Sequence, residues 1–224
     1  MTALKLPATK GIRVVVVDDH PMLRERLAHL INKEEDMTIC GEADNIQQAM
    51  EIIQQTNPDI AIVDITLHGS SGLELIKNLK AAGCGVPVLV LSMHDESLYA
   101  QRALRAGARG YVTKHQASET VMIAIRRVLQ GEVYLSEHLT SRILKTLVET
   151  GSKVEGPVVD RLTDRELEVF QLIGHGRATR EIAETLHLGI KTVDTYRERI
   201  KQKLHLQNAA ELHHRAMQWV TKAD

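Results

Sequence analysis

The chain has 224 residues, 43% hydrophobic and 25% charged, the balance of a globular protein of one or two domains. Its 28 Lys and Arg against 29 Asp and Glu leave a formal net charge of −1, so no global field commits it to nucleic acid or membrane, and any such surface must be local. Aromatic content of 3% argues against base-stacking platforms, apolar runs such as Val14 to Val17 are far shorter than the roughly 20 residues of a membrane span, and Met1 to Lys10 lacks the apolar core and cleavage site of a secretory signal, so a cytoplasmic chain with no membrane partner is expected.

From Ile12 to Gln130, short apolar runs alternate with segments of helical period, the pattern of a parallel sheet covered by helices. The runs are Ile12 to Val17, Met37 to Ala43, Asp59 to Val63, Val86 to Ser92 and Arg109 to Thr113. They predict a doubly wound α/β domain of about five βα units over residues 1–130. Cys40 and Cys84 lack metal-ligand spacing and disulfide density and read as buried thiols. Residues 131–160 form a linker: Ser136 opens a helix expected through Leu147, and Glu149 to Pro157 is rich in turn formers. Residues 161–224 show helical period throughout and predict an all-α domain of four helices. That segment carries 11 basic and 9 acidic residues against 14 and 16 in residues 1–135, a mildly basic second domain.

In an open parallel sheet, chemistry collects at the carboxyl ends of the strands. Those ends carry Asp18, Asp19 and His20 after the first strand, Asp64 after the third, Ser92 on the fourth and Lys114 after the fifth. Three converging carboxylates raise one another's pKa unless a cation compensates, and oxygen donors with retained waters suit Mg²⁺. No glycine-rich phosphate loop follows the first strand. The arrangement suits an attacking carboxylate instead, with Asp64 as the nucleophile that becomes an aspartyl phosphate, Lys114 as a point charge on the phosphoryl group and Ser92 as a hydroxyl donor. His20 and His94 border the pocket and read as local structural or rate-tuning residues, because zinc-type spacing is absent.

These residues, with Ala106-Gly107-Ala108-Arg109-Gly110-Tyr111 ahead of the lysine, resemble a bacterial response-regulator receiver domain over residues 11–130. The resemblance implies that Asp64 takes phosphate from a sensor histidine kinase. It also implies that Asp18, Asp19, Asp64 and the Thr66 carbonyl hold Mg²⁺, and that Ser92 and Tyr111 are the switch positions. One departure is His68, at a position where the family commonly has proline, which makes the loop after Asp64 less rigid.

Thr163 followed by Glu166 reads as a capping box, Thr179 as the cap of a second helix, and the turn at Leu188-Gly189 leads into a helix from Ile190 to Leu204, together a helix-turn-helix. On the last of these, Val193, Ile200 and Leu204 form the buried stripe. Lys191, Thr192, Thr195, Tyr196, Arg199 and Lys203 are the candidate DNA contacts, with the cations on phosphates and the polar groups on base edges. The series Leu162-Thr163-x-Arg165-Glu166-x-Glu168-Val169, Glu181-Ile182-Ala183, Lys191-Thr192-Val193 and Lys203-Leu204 resembles the LuxR-type DNA-binding domain, so the whole chain resembles a NarL/FixJ-type regulator. The resemblance implies a transcription factor that binds double-stranded promoter DNA as a homodimer when phosphorylated or DNA-bound, the helix from Asn208 to Val220 packing two copies. Whether phosphorylation acts by dimerisation or by release of a masked helix stays open. Two other readings are an orphan regulator that needs no phosphate and an Mg²⁺-dependent phosphohydrolase. The second is disfavoured because Thr66 stands where such an enzyme has a second aspartate.

Overall fold

The computed structural model describes residues 11–67, 70–93, 96–141 and 158–223. Five strands, β1 (Ile12–Val17), β2 (Met37–Ala43), β3 (Ile60–Val63), β6 (Val88–Ser92) and β7 (Gly110–Thr113), form a parallel sheet in the order β2-β1-β3-β6-β7. Every residue of β3 and β6 is buried, as are Val14 to Val17 of β1, because helices cover both faces. This is why those strands read as continuous apolar runs rather than as alternating ones.

Helices α1 (Pro21–Asn32) and α5 (Ala117–Leu129) cover one face, where Leu27, Ile31, Val121 and Ile125 pack on Val14, Val16, Ile62 and Leu89. On the other face lie α2 (Ile46–Thr56), α3 (Gly72–Ala81) and α4 (Glu96–Ala106), with Ala49, Ile53, Leu75, Ile76, Tyr99 and Ala103 in the core. Asn45 and Ser71 cap α2 and α3 through their side chains. Cys40 and Cys84 are free thiols, packed against the core but only partly buried.

Two short strands, β4 (Thr66–Leu67) and β5 (Ser70–Ser71), pair antiparallel just after Asp64. They are too short to leave a periodic signal in the sequence. Gly72 follows them, and a Cβ there would lie 1.8 Å from the Asp64 carbonyl oxygen, so only glycine permits this approach of the two backbones.

The second domain holds α6 (Asp164–Gly174), α7 (Thr179–Thr185), α8 (Ile190–Leu204) and α9 (Ala209–Ala223). Thr163 and Glu166 make the expected capping box on α6. The cap of α7 is shifted by one residue: Ala178 occupies the position and its N–H donates to Glu181 Oε2 (2.8 Å), which leaves Thr179 as the first helical residue. Phe170 meets Trp219 of α9 with ring centroids 5.6 Å apart. Residues 137–141 are helical, and the remainder of the linker helix expected through Leu147 falls outside the described residues. No helix among the described residues is long and apolar enough to cross a membrane.

A single apolar cluster runs from the α3 and α4 side of the first domain into the second. Polar contacts tie the same seam: Arg102 donates to the carbonyls of Val159 (2.8 Å) and Leu162 (2.9 Å), and Lys77 pairs with Asp164 (2.6 Å). Tyr99 Oη donates to Gln171 (3.1 Å).

Candidate phosphoacceptor site and nucleic-acid interface

Parallel strands end side by side, so β1, β3 and β7 bring Asp18, Asp19, Asp64 and Lys114 to one edge of the sheet. The three aspartates are buried. Lys114 Nζ lies 2.6 Å from Asp64 Oδ2 and 2.7 Å from Asp18 Oδ2. Burial alone would pull the Lys114 pKa down, but the charges of Asp64 and Asp18 outweigh it and hold the ammonium charged. Burial pushes the Asp64 carboxyl up to about 7, with Lys114 opposing and Asp18 and Asp19 adding to the rise.

Asp64 Oδ1 is buried with no hydrogen-bond partner. One ligand atom each from Asp18, Asp19, His20 and Asp64 fall within 4.8 Å of one another. A cluster of hard oxygen donors with an unsatisfied carboxylate oxygen fits a divalent cation, which would offset the like charges. Ser92 ends β6 fully buried, Tyr111 is buried in β7, and Thr66 begins β4 two residues beyond Asp64.

His20 is closer to the pocket than a bordering residue need be. Its Nδ1 lies 2.7 Å from Asp19 Oδ1 and 3.2 Å from Asp18 Oδ1, and its backbone N–H donates to Asp18 Oδ1 (2.8 Å). His94 and His68 fall outside the described residues.

In the second domain, Val193, Ile200 and Leu204 bury one face of α8, as the spacing predicts. On the opposite side Lys191, Thr192, Thr195, Tyr196 and Arg199 line an open groove of about 240 Å³. Lys203 is not among them. Its ammonium lies 2.6 Å from Glu166 Oε2, tying α8 to the first turn of α6.

Sequence reasoning missed the seam between the domains. Arg165, Glu166 and Glu168 are buried, although an isolated amphipathic helix would expose them. Arg165 pairs with Glu168 and donates to the carbonyls of Leu67 (3.1 Å) and Leu186 (3.4 Å). Burial pushes the Glu168 carboxyl up to about 7 against the charge of Arg165. The available signal was three consecutive turns of α6 carrying apolar residues on more than one face.

The family model described as the response regulator receiver domain matches residues 14–126, and that of the bacterial regulatory proteins of the luxR family matches residues 160–216. The chain is 34% identical over 200 residues to the virulence-factor transcription regulator BvgA of Bordetella pertussis, covering 89% of this chain and 94% of the relative. It is 31% identical over 205 residues to the oxygen regulatory protein NreC of Staphylococcus carnosus, covering 90% and 94%. Among solved structures, the response regulator ChrA of a heme-sensing two-component system is 27% identical with a TM-score of 0.51, over 96% of this chain and 100% of that one. A LuxR-family two-component response regulator from Aurantimonas is 32% identical with a TM-score of 0.58, over 62% of this chain and 99% of that one. The strand-end acidic pocket and the helix-turn-helix therefore belong together: the chain is a member of the NarL/FixJ-type two-component response regulators, transcriptional regulators in which a receiver domain is joined to a LuxR-type DNA-binding domain and phosphorylation is the switch.

Proposed function

We propose that Asp64 is the phosphoacceptor, that Asp18, Asp19, Asp64 and the Thr66 carbonyl hold Mg²⁺, and that α8 reads promoter DNA through Lys191, Thr192, Thr195, Tyr196 and Arg199. The observation that carries the reading is Asp64 itself. One of its buried oxygens is held by Lys114 and the other has no hydrogen-bond partner. Attack of that oxygen on a kinase phosphohistidine forms an O–P bond as the P–N bond breaks, and the departing imidazole takes up a proton. Lys114, already charged at Asp64, is positioned to pair with a phosphoryl oxygen, and the Ser92 hydroxyl to donate to another. A bound Mg²⁺ supplies charge neutralisation for the incoming phosphoryl oxygens.

The groove on α8 lies open in this conformation, with Lys191, Thr192, Thr195 and Arg199 all exposed. That favours an output through association or reorientation of copies over release of a masked helix. The final helix, with Met217 exposed, is the proposed surface between two copies of a homodimer. Two such copies bind half-sites one helical turn apart or a multiple of it. A cytoplasmic sensor-kinase domain and promoter DNA are the partners, which sets the site of action in the cytoplasm. The test is intact mass and oligomeric state after incubation with Mg²⁺ and a small phosphodonor. One phosphoryl adduct that is lost in Asp64→Asn and accompanies dimer formation is expected. Absence of an adduct with both the donor and a kinase would overturn the assignment.

A further inference from the structure

The acidic pocket contains one donor that Mg²⁺ does not need. His20 is fixed at the N-terminus of α1 with its backbone extended (φ −94°, ψ 104°), between Asp19 and Pro21, and its side chain makes no capping hydrogen bond to the helix. The ring turns the other way, toward the carboxylates. Nδ1 lies 2.7 Å from Asp19 Oδ1 and 3.2 Å from Asp18 Oδ1, and a ring nitrogen falls within 4.8 Å of a ligand atom of Asp64 as well. The independent sign of a cation at this point is Asp64 Oδ1, buried and without a hydrogen-bond partner.

We propose that His20 is a metal ligand, which makes the pocket a mixed nitrogen and oxygen site that accepts late first-row divalent ions as well as Mg²⁺. This rests on the reading of the pocket as a divalent-cation site. Donor chemistry separates the two kinds of ion. Magnesium takes oxygen and keeps its waters, so the imidazole adds little to its binding. Imidazole nitrogen instead suits iron, nickel, copper and zinc, and affinity for an N/O site rises along the first row toward copper. A cation bound through Nδ1 requires the ring proton to sit on Nε2. The side chain is 61% exposed, so water can accept that proton's hydrogen bond at little cost. The hydrogen bond to Asp18 and the close contact with Asp19 given up on metal entry are replaced by the coordination of those same carboxylates.

The test uses the full chain and Co²⁺, whose visible absorption reports its ligands, with Mg²⁺ affinity measured separately by calorimetry. Wild type, His20→Gln and Asp64→Asn are compared. Mg²⁺ should displace the Co²⁺ signal in wild type, and Asp64→Asn should lose it, which identifies the pocket among the chain's other histidines. His20→Gln should then weaken Co²⁺ by at least about tenfold, the scale of losing a partner from a metal site, and leave Mg²⁺ within about twofold. The unchanged Mg²⁺ affinity also reports that the pocket has folded. Equal effects on both ions, or none on either, would overturn the role of His20 while leaving the cation pocket standing. Absence of any Asp64-dependent binding of either ion would overturn the cation pocket and this inference with it.

Discussion

Arg165 of α6 donates through Nη2 to the main-chain carbonyl of Leu67, 3.1 Å away, and Leu67 stands three residues beyond Asp64. This hydrogen bond joins the segment that follows the acceptor to the first helix of the DNA-binding domain. Arg165 is also paired with Glu168, and both side chains are buried. Breaking a buried pair by removing one partner leaves an uncompensated charge, at a cost of about 3–5 kcal/mol. Arg165→Met should lose that much in urea unfolding above pH 7, where Glu168 carries its charge. The double variant with Glu168→Leu should lose less than Arg165→Met alone, because no charge is stranded. Additive losses would mean that the two residues do not act as a unit.

Glu168 also gives stability a pH dependence. Its carboxyl is pushed up to about 7 by burial, against an ordinary value of 4.5. Between those values the folded chain keeps a proton that the unfolded chain releases, so the contribution of this group falls as pH rises from about 4.5 to about 7 and is constant outside that window. Glu168→Gln should flatten the slope of unfolding free energy over that window. An unchanged slope would remove Glu168 as its source.

Lys203 and Arg199 lie on the same helix and should behave differently. Arg199→Ala should make the dependence of DNA affinity on salt shallower by about 1 in log–log slope, as the loss of one phosphate contact does. Lys203 is engaged with Glu166, whose carboxyl is buried, yet is held below the usual carboxylate range by hydrogen bonds from Lys203 and Thr163. Lys203→Ala should leave the salt slope unchanged and lower the thermal stability of the domain. A salt slope shifted by Lys203→Ala would return this lysine to the DNA face.

Gly72 tests how tightly the acceptor backbone is built. A Cβ at this position would lie 1.8 Å from the Asp64 carbonyl oxygen and 2.9 Å from Val63 Cγ1. Gly72→Ala should destabilise the first domain by about 1–3 kcal/mol or more, the scale of overpacking, and slow or abolish phosphorylation by moving Asp64. Full stability with normal phosphoryl uptake would show that β5 gives way freely. Gly85, whose Cβ would meet nothing within 4 Å and whose backbone is not left-handed, is the control for the loss of a glycine as such.

The five strands and the acidic pocket were legible because a parallel sheet is buried on both faces, so β1, β3 and β6 appear as unbroken apolar runs, and strand ends are where the next polar residues must stand. The capping box at Thr163 and the buried stripe of α8 were legible for the same local reason: each depends on neighbours within one or two helical turns. The strands β4 and β5 were not, since pairs of two residues carry no period. The partner of Lys203 was not either, since Glu166 lies 37 residues away in sequence.

The sequence by itself determined the two domains' fold classes, the residues at the strand ends and the face of α8 that turns outward, all consequences of periodicity and local turn chemistry. Only the tertiary structure decided that His20 turns into the carboxylates, that Lys203 serves α6 and that Arg165 reaches Leu67 across 98 residues of sequence. The reason is that a charged side chain's role is set by what burial brings within about 3 Å of it, and burial at a seam between domains follows from packing that no local pattern encodes.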